Sequence, residues 1–177
     1  MKKRWDIILA GSGGQGLGVG AELLARAVML GGEYFIAQNQ SYGARARGGS
    51  SQSSLIISTE EIMFPIVVAA NFLLALTQGA YEQCEPLVSE SGTIVYDSSA
   101  VISPKNRVKE YGFPFHSEAL ALGHSKGITV MALGTSNEIL QIVPPEDFIT
   151  ALKSQFKDEV LEANIKAFNH GRSLQDK

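Results

Sequence analysis

The chain has 177 residues and one cysteine, Cys84. This length predicts one domain, residues 1–177, with a complete core. A lone thiol excludes disulfide scaffolds, zinc ribbons and proteins that hold their own iron–sulfur cluster. The 15 basic and 18 acidic residues give a net charge of −3, which argues against nucleic-acid binding. Charged residues make up 19% of the chain, below the roughly 25% of a typical soluble domain, which favours a protein that buries part of its surface against partners.

The sequence predicts neither a targeting peptide nor a membrane span. Residues 2–4 (KKR) begin like a signal peptide, but Asp6 follows and the apolar run 7–10 is too short for a signal core. The longest apolar stretch, residues 66–76, is interrupted by Asn71 and is too short to cross about 30 Å of hydrocarbon. With a single cysteine, these features predict a cytoplasmic protein.

The first forty residues predict the fold class. Residues 5–10 (WDIILA) form an apolar run typical of a buried strand. A glycine-rich turn follows, and apolar residues then recur with helical spacing from Leu17 until Gly31-Gly32 ends the helix. Residues 33–38 predict the next strand. This order indicates an α/β protein, a single Rossmann-like domain with a mostly parallel sheet flanked by helices.

The rest of the chain predicts further elements of the same kind. Residues 39–54 are polar and lack periodicity, and they predict a long loop that runs into a strand whose apolar end is residues 55–58. Strands are expected at residues 71–77, 93–97 and 107–113, and helices at residues 78–88, 116–123, 126–140, 145–154 and 158–170.

The first glycine motif lies between the first strand and the first helix. Residues 11–16 (GSGGQG) satisfy G-x-G-x-x-G, in which glycines permit a tight turn and the helix N-terminus can receive an anion. A nicotinamide site also requires a carboxylate after the second strand, and residues 36–40 contain none. Three interpretations remain open: a turn packed against a neighbouring chain, a phosphate contact, and a dinucleotide site.

The second motif is residues 42–49 (YGARARGG) in the predicted loop. Arg45 and Arg47 are two residues apart, so in an extended segment both side chains project to one side. Two guanidinium groups between glycines can clamp a phosphate or a carboxylate. The alternative is a solvated or interfacial arginine pair.

No catalytic set is evident in the sequence. His116, His124 and His170 are isolated from any pattern of metal ligands, and no nucleophile elbow, Walker lysine or metalloprotease motif occurs. Cys84 lies in a helical stretch, which predicts a packed thiol rather than a reactive one.

The two motifs together resemble the gamma subunit of the 2-oxoacid:ferredoxin oxidoreductases, in which a GxGGQG turn is followed some 26 residues later by YGxxxRGG. The resemblance covers nearly the whole chain and is greatest for the 2-oxoglutarate enzyme, with the pyruvate and branched-chain 2-oxoacid enzymes as alternatives. The further similar segments are residues 65–67 (PIV), 72–78 (FLLALTQ), 130–134 (VMALG), the helix from Pro145, and 164–168 (NIKAF).

The resemblance implies a subunit of a multi-subunit oxidoreductase that is inactive alone. Such complexes decarboxylate a 2-oxoacid on thiamine diphosphate, pass electrons through iron–sulfur clusters to ferredoxin or another acceptor, and transfer the acyl group to coenzyme A. The implied partners are a thiamine-diphosphate chain, a 2-oxoacid chain and a ferredoxin-like chain, which hold those cofactors. The gamma chain itself would hold no cofactor, and would help to assemble the complex and shape the approach of coenzyme A.

The resemblance also assigns the expected site residues. The first motif matches at Gly11, Gly13, Gly14, Gln15 and Gly16, and the second at Tyr42, Gly43, Arg47, Gly48 and Gly49. Arg45 completes the set and is a departure, because many relatives carry a glutamate there and the loop is more cationic here. A stand-alone nucleotide-binding protein remains the alternative of another class.

Overall fold

The computed structural model describes residues 3–42, 49–102 and 104–176. Its strands are β1 (Arg4–Ser12), β2 (Phe35–Tyr42), β3 (Ser50–Ser58), β4 (Ala70–Ala75), β5 (Val88–Asp97) and β6 (Lys109–Phe113). Its α-helices are α1 (Leu17–Leu30), α2 (Gln78–Cys84), α3 (Phe115–Ala121), α4 (Ile128–Leu140), α5 (Pro145–Gln155) and α6 (Asp158–Ser173). None of the described helices is long and apolar enough to cross a membrane.

The strands form one six-stranded sheet in the order β2-β3-β1-β4-β5-β6. The pairs β1–β4, β4–β5 and β5–β6 are parallel, whereas β3 is antiparallel to both β1 and β2. Strands β1 and β2 therefore point the same way with β3 inserted between them. The predicted α/β fold with a mostly parallel, helix-flanked sheet is confirmed, and β3 is the strand of the described sheet that runs opposite to its neighbours.

The predicted loop at residues 39–54 is wrong for most of its length. β2 continues to Tyr42 and β3 begins at Ser50, and the two strands pair from Phe35 opposite Ser58 to Tyr42 opposite Ser51. The polar side chains predict a loop. The backbone N–H and C=O groups of polar residues nevertheless pair between strands like those of any other non-proline residue. Even the buried Ser53 finds a partner, since its Oγ lies 3.4 Å from Nε2 of Gln38.

The two faces of the sheet are covered unequally. On one face α1, α3, α4, α5 and α6 bury a large apolar cluster that includes the stacked rings of Phe148 and Phe168, whose centroids are 4.4 Å apart. On the other face α2 is the only described helix, and its Tyr81 and Cys84 pack into a smaller cluster. The prediction that Cys84 is packed is confirmed, and burial raises the pKa of its thiol to about 11.

Helices α4 and α6 cross at two glycines. A Cβ at Gly171 would lie 1.9 Å from the carbonyl oxygen of Met131, and one at Gly134 would lie 2.2 Å from that of Phe168. Both neighbours are backbone atoms that a rotamer change cannot move. The glycines therefore set how closely α6 approaches the helix layer.

A charged cluster fixes the chain between β5 and β6. The Glu85 carboxylate is buried and accepts hydrogen bonds from Nζ of Lys105 at 2.8 Å and Nε of Arg107 at 2.5 Å. Burial would raise the pKa of Glu85, but these two bonds outweigh it and hold that pKa below its ordinary value. Nearby, the Tyr81 hydroxyl accepts the Lys105 N–H at 2.7 Å and donates to Glu110 at 3.0 Å.

Candidate functional site

The fold brings the two motifs together at the carboxyl end of β1. Ser12, the last residue of β1, pairs with Ser50, the first residue of β3, and the N–H of Gly13 donates to the carbonyl of Gly49 at 3.0 Å. β1 is also the strand at which the sheet order reverses, with β2 and β3 on one side and β4 to β6 on the other. Open α/β sheets bind ligands beyond the carboxyl end of such a strand.

Gln15 is a structural part of the turn. Its side-chain Oε1 accepts the N–H of Ser12 at 2.7 Å, and its carbonyl accepts the hydroxyl of Thr129 from α4 at 2.7 Å. The folded-back amide occupies the space above Gly11, where a Cβ would lie 2.2 Å from Oε1. In this arrangement Gln15 shapes the turn, and Gly11 is required for packing.

Gly14 and Gly16 are required for backbone conformation. Their φ angles are 93° and 79°, in the left-handed region that side chains disfavour. A Cβ at either position would meet no atom within 4 Å, so the space beside the turn is open. Gly16 is also the N-cap of α1 and supplies no side-chain cap, and the first turn of α1 contains no acidic residue. The positive end of the helix dipole is therefore not offset there by a local carboxylate.

An open cleft of about 340 Å³ lies beside this turn. Ser12, Gly14 and Gly16 line one side, and Gln40 of β2 and Ser51 of β3 line another. Glu22 of α1 also borders the cleft and pairs with Arg26 at 2.7 Å, which offsets part of its charge. The cleft is polar and accessible, and it can take an anionic group at the turn with neutral hydrogen-bonding groups alongside.

The geometry disfavours a conventional dinucleotide site. In that fold the ribose-binding carboxylate ends the strand next to β1. Here β3 occupies the position next to β1 and runs the opposite way, which places β2 two strand spacings, about 9–10 Å, from β1. The end of β2 therefore lies too far away for that role, in addition to lacking the carboxylate.

Part of the second motif lies outside the described residues: Gly43, Arg45, Arg47 and Gly48. Tyr42 and Gly49, on either side, are placed by the ends of β2 and β3 at the same edge as the turn. Their backbone positions bring the flanks of the second motif to the first. The interpretation of Arg45 and Arg47 as an anion clamp stays a prediction.

Sequence reasoning missed Thr129 and Gln40. Thr129 lies inside α4 and contacts the turn only because α4 packs across α1, where a Cβ at Gly20 would lie 2.5 Å from Cγ2 of Thr129. Nothing local in the sequence marks these residues. In the part of the chain that the structure describes, no group of three or more His, Cys, Asp or Glu residues could hold a metal ion.

Known proteins with similar sequences are subunits of 2-oxoacid oxidoreductases. Subunit KorC of 2-oxoglutarate synthase from Archaeoglobus fulgidus is 34% identical over 172 residues, which cover 97% of this chain and 88% of KorC. KorC from Methanocaldococcus jannaschii is also 34% identical, with 97% and 94% coverage. Subunit VorA of ketoisovalerate oxidoreductase from Methanothermobacter thermautotrophicus is 28% identical over 92% of this chain, but the match spans only 35% of VorA.

Solved structures show the same fold. The gamma subunit of a keto/oxoacid ferredoxin oxidoreductase from Geobacter sulfurreducens superposes with a TM-score of 0.83 and 29% identity, covering 98% of this chain and 99% of that one. The 2-oxoglutarate:ferredoxin oxidoreductase from Magnetococcus marinus gives a TM-score of 0.88 at 23% identity, covering 99% of this chain and 32% of that one. The second likeness is one of fold alone.

The profile of the family described as pyruvate ferredoxin/flavodoxin oxidoreductase matches residues 6–174. With a match of this length, the chain belongs to the pyruvate ferredoxin/flavodoxin oxidoreductase family.

Proposed function

We propose that this chain is the gamma subunit of a 2-oxoglutarate:ferredoxin or acceptor oxidoreductase. The complex would convert a 2-oxoacid, coenzyme A and an oxidised acceptor into an acyl-coenzyme A, carbon dioxide and a reduced acceptor. The observation that carries the proposal is the match to KorC subunits over nearly the full length of both chains. The chain and its partners would work in the cytoplasm.

The chain contributes no redox or covalent chemistry of its own in this proposal. One buried thiol with a pKa of about 11 stays protonated near pH 7 and cannot build an iron–sulfur cluster. Thiamine diphosphate and the clusters would therefore be held by the thiamine-diphosphate chain, the 2-oxoacid chain and the ferredoxin-like chain. When bound there, they supply the decarboxylation and the electron transfer.

The role of this chain would be to assemble the complex and to shape the approach of coenzyme A. Coenzyme A carries phosphates, and the open space beside Gly14 and Gly16 faces the uncapped N-terminus of α1. Arg45 and Arg47 follow the last residue of β2, Tyr42, in the sequence and would add positive charge. These features support a phosphate contact for the two motifs.

The direct test is a tagged pull-down from native cell extract, with mass spectrometry and activity assays on what is recovered. We expect a thiamine-diphosphate chain and a cysteine-rich ferredoxin-like chain, and turnover of 2-oxoglutarate with coenzyme A and a viologen dye. Preference for pyruvate or ketoisovalerate would move the assignment to those enzymes. Turnover by the purified chain alone would refute the subunit role.

A second experiment separates coenzyme A binding from assembly. Arg47→Ala in the complex should raise the apparent KM for coenzyme A about tenfold or more, because a lost charge-assisted contact costs about 1.5–3 kcal/mol, while the subunit composition stays unchanged. The control is Lys153→Ala, at an exposed position on α5. If Arg47→Ala instead releases the chain from the complex, the arginine is an assembly contact.

A further inference from the structure

The segment that joins β3 to β4 exposes an unusual run of large apolar side chains. Met63 is 85% exposed, Phe64 58%, Ile66 54% and Val68 69%. We call these residues the apolar strip. Scattered exposed apolar residues are common on proteins, but a continuous group of this kind marks a contact surface.

The strip is held in place by the fold. Thr59, at the start of the segment, donates its N–H to the carbonyl of Lys3 at 3.0 Å, and the Asn39 side chain donates to the carbonyl of Pro65. Val67 points inward and packs on the cluster beneath α2. Its neighbours Ile66 and Val68 are exposed on the opposite side of the segment. Their exposure is set by the path of the backbone.

The strip also borders a groove of about 400 Å³ with a polar margin. Arg4 and Asp6 lie on this margin and pair at 2.8 Å, and Glu61 lies there as well. An apolar centre with a polar rim is the usual anatomy of a protein–protein contact, in which an aliphatic or aromatic side chain of the partner fills the centre.

The lengths of the relatives point to a class of partner for this chain. The strip lies on the face of the sheet where α2 is the only described helix. In VorA and in the Magnetococcus marinus enzyme, the matched region is only 35% and 32% of the chain. In each of those proteins, the region equivalent to this chain is joined covalently to a longer remaining polypeptide. The match covers 88% and 94% of the two KorC chains, so in those relatives the corresponding contacts would come from a separate chain.

We propose that the apolar strip is the docking surface for the subunit that corresponds to the remaining part of those longer relatives. The partner would insert an apolar side chain into the groove and place polar groups against Arg4, Asp6 and Glu61. The proposal rests on the proposed function, because it requires the chain to be a subunit, and it goes further by assigning the surface.

The test compares two double variants of the full chain that add the same charge. One is Met63→Glu with Val68→Glu in the strip. The other is Met29→Glu with Val160→Glu, which replaces the same residue types at exposed positions of α1 and α6. Each tagged chain is co-expressed with the subunits recovered by the pull-down, and the dissociation constant is measured by biolayer interferometry. Circular dichroism and the melting temperature report folding.

We expect the strip variant to bind at least tenfold more weakly and the control variant to bind within twofold of the unmodified chain, with both folded. Equal binding by the strip variant refutes the surface while the subunit role stands. If the unmodified chain captures no such subunit, the proposed function and the surface both fail. Sedimentation of the chain alone tests for a dimer. If the unmodified chain dimerises, only the strip variant loses the dimer, and subunit binding is unchanged, then the strip binds a second copy of this chain and the proposal is overturned.

Discussion

The clamp between Gln15 and Gly11 gives a quantitative prediction for the first motif. Gly11→Ala places a Cβ 2.2 Å from Oε1 of Gln15 and 3.2 Å from Cβ of Leu76. The Gln15 side chain is free to rotate, so it has to leave its site. It then gives up the hydrogen bond that it accepts from the N–H of Ser12 at 2.7 Å.

The magnitude follows from that shared bond. Gln15→Ala leaves the partly buried N–H of Ser12 unsatisfied and should cost about 1–2 kcal/mol of unfolding free energy. Gly11→Ala loses the same bond and adds a tight contact with Leu76, for a total of about 2–3 kcal/mol. In the double variant the bond is lost only once. The double variant should therefore cost about 1–2 kcal/mol less than the sum of the two single variants.

Urea unfolding of the single and double variants, followed by circular dichroism, measures this coupling. At this chain length each kcal/mol shifts the melting temperature by about 2–4 °C, so scanning calorimetry gives an independent check. Gly79→Ala is the matched control, since its Cβ would meet no atom within 4 Å and its effect, whatever its sign, should simply add to that of Gln15→Ala. Costs for Gly11→Ala and Gln15→Ala that simply add would refute the folded-back position of the Gln15 amide.

Other residues give further predictions. Gly171→Ala should lower the unfolding free energy by about 3 kcal/mol or more, because its Cβ would press on a backbone carbonyl. Gly79→Ala in α2 should be neutral or stabilising by up to about 1 kcal/mol in the same urea titration, because its Cβ is unobstructed and alanine favours a helix. Equal effects would contradict the close crossing of α4 and α6. The pKa of Glu85 is held below its ordinary value of 4.5, so its stabilising contribution is complete above about pH 4.5 and is lost as the pH falls through the lower folded value. In urea titrations, the free energy of unfolding of Glu85→Gln should therefore fall less between about pH 5 and pH 3 than that of the unmodified chain. An unchanged pH profile would exclude this pairing. Burial raises the pKa of Cys84 to about 11, so the thiol is protonated at about pH 7.5 and should react with iodoacetamide only after unfolding. Rapid labelling of the native chain, measured by mass spectrometry, would contradict its burial.

Elements with a strong apolar pattern could be predicted from the sequence. The buried strands β1 and β4 and the helices α1 and α5 lie where apolar runs, helical spacing and glycine or proline boundaries place them. β2 and β3 could not be bounded in this way, because residues 39–42 and 50–54 carry polar side chains. These residues are strands only because each lies beside the other and completes its backbone hydrogen bonds.

The same division holds for the candidate site. The sequence by itself determined the turn between β1 and α1 and the resemblance that carries the function, because each depends on residue types at fixed local spacing. Tertiary structure alone decided that β3 enters beside β1, that Gly13 meets Gly49, and that Thr129 supports the turn from α4. Those contacts join residues distant in sequence. Their formation depends on how the sheet and helices pack together, which no local pattern encodes.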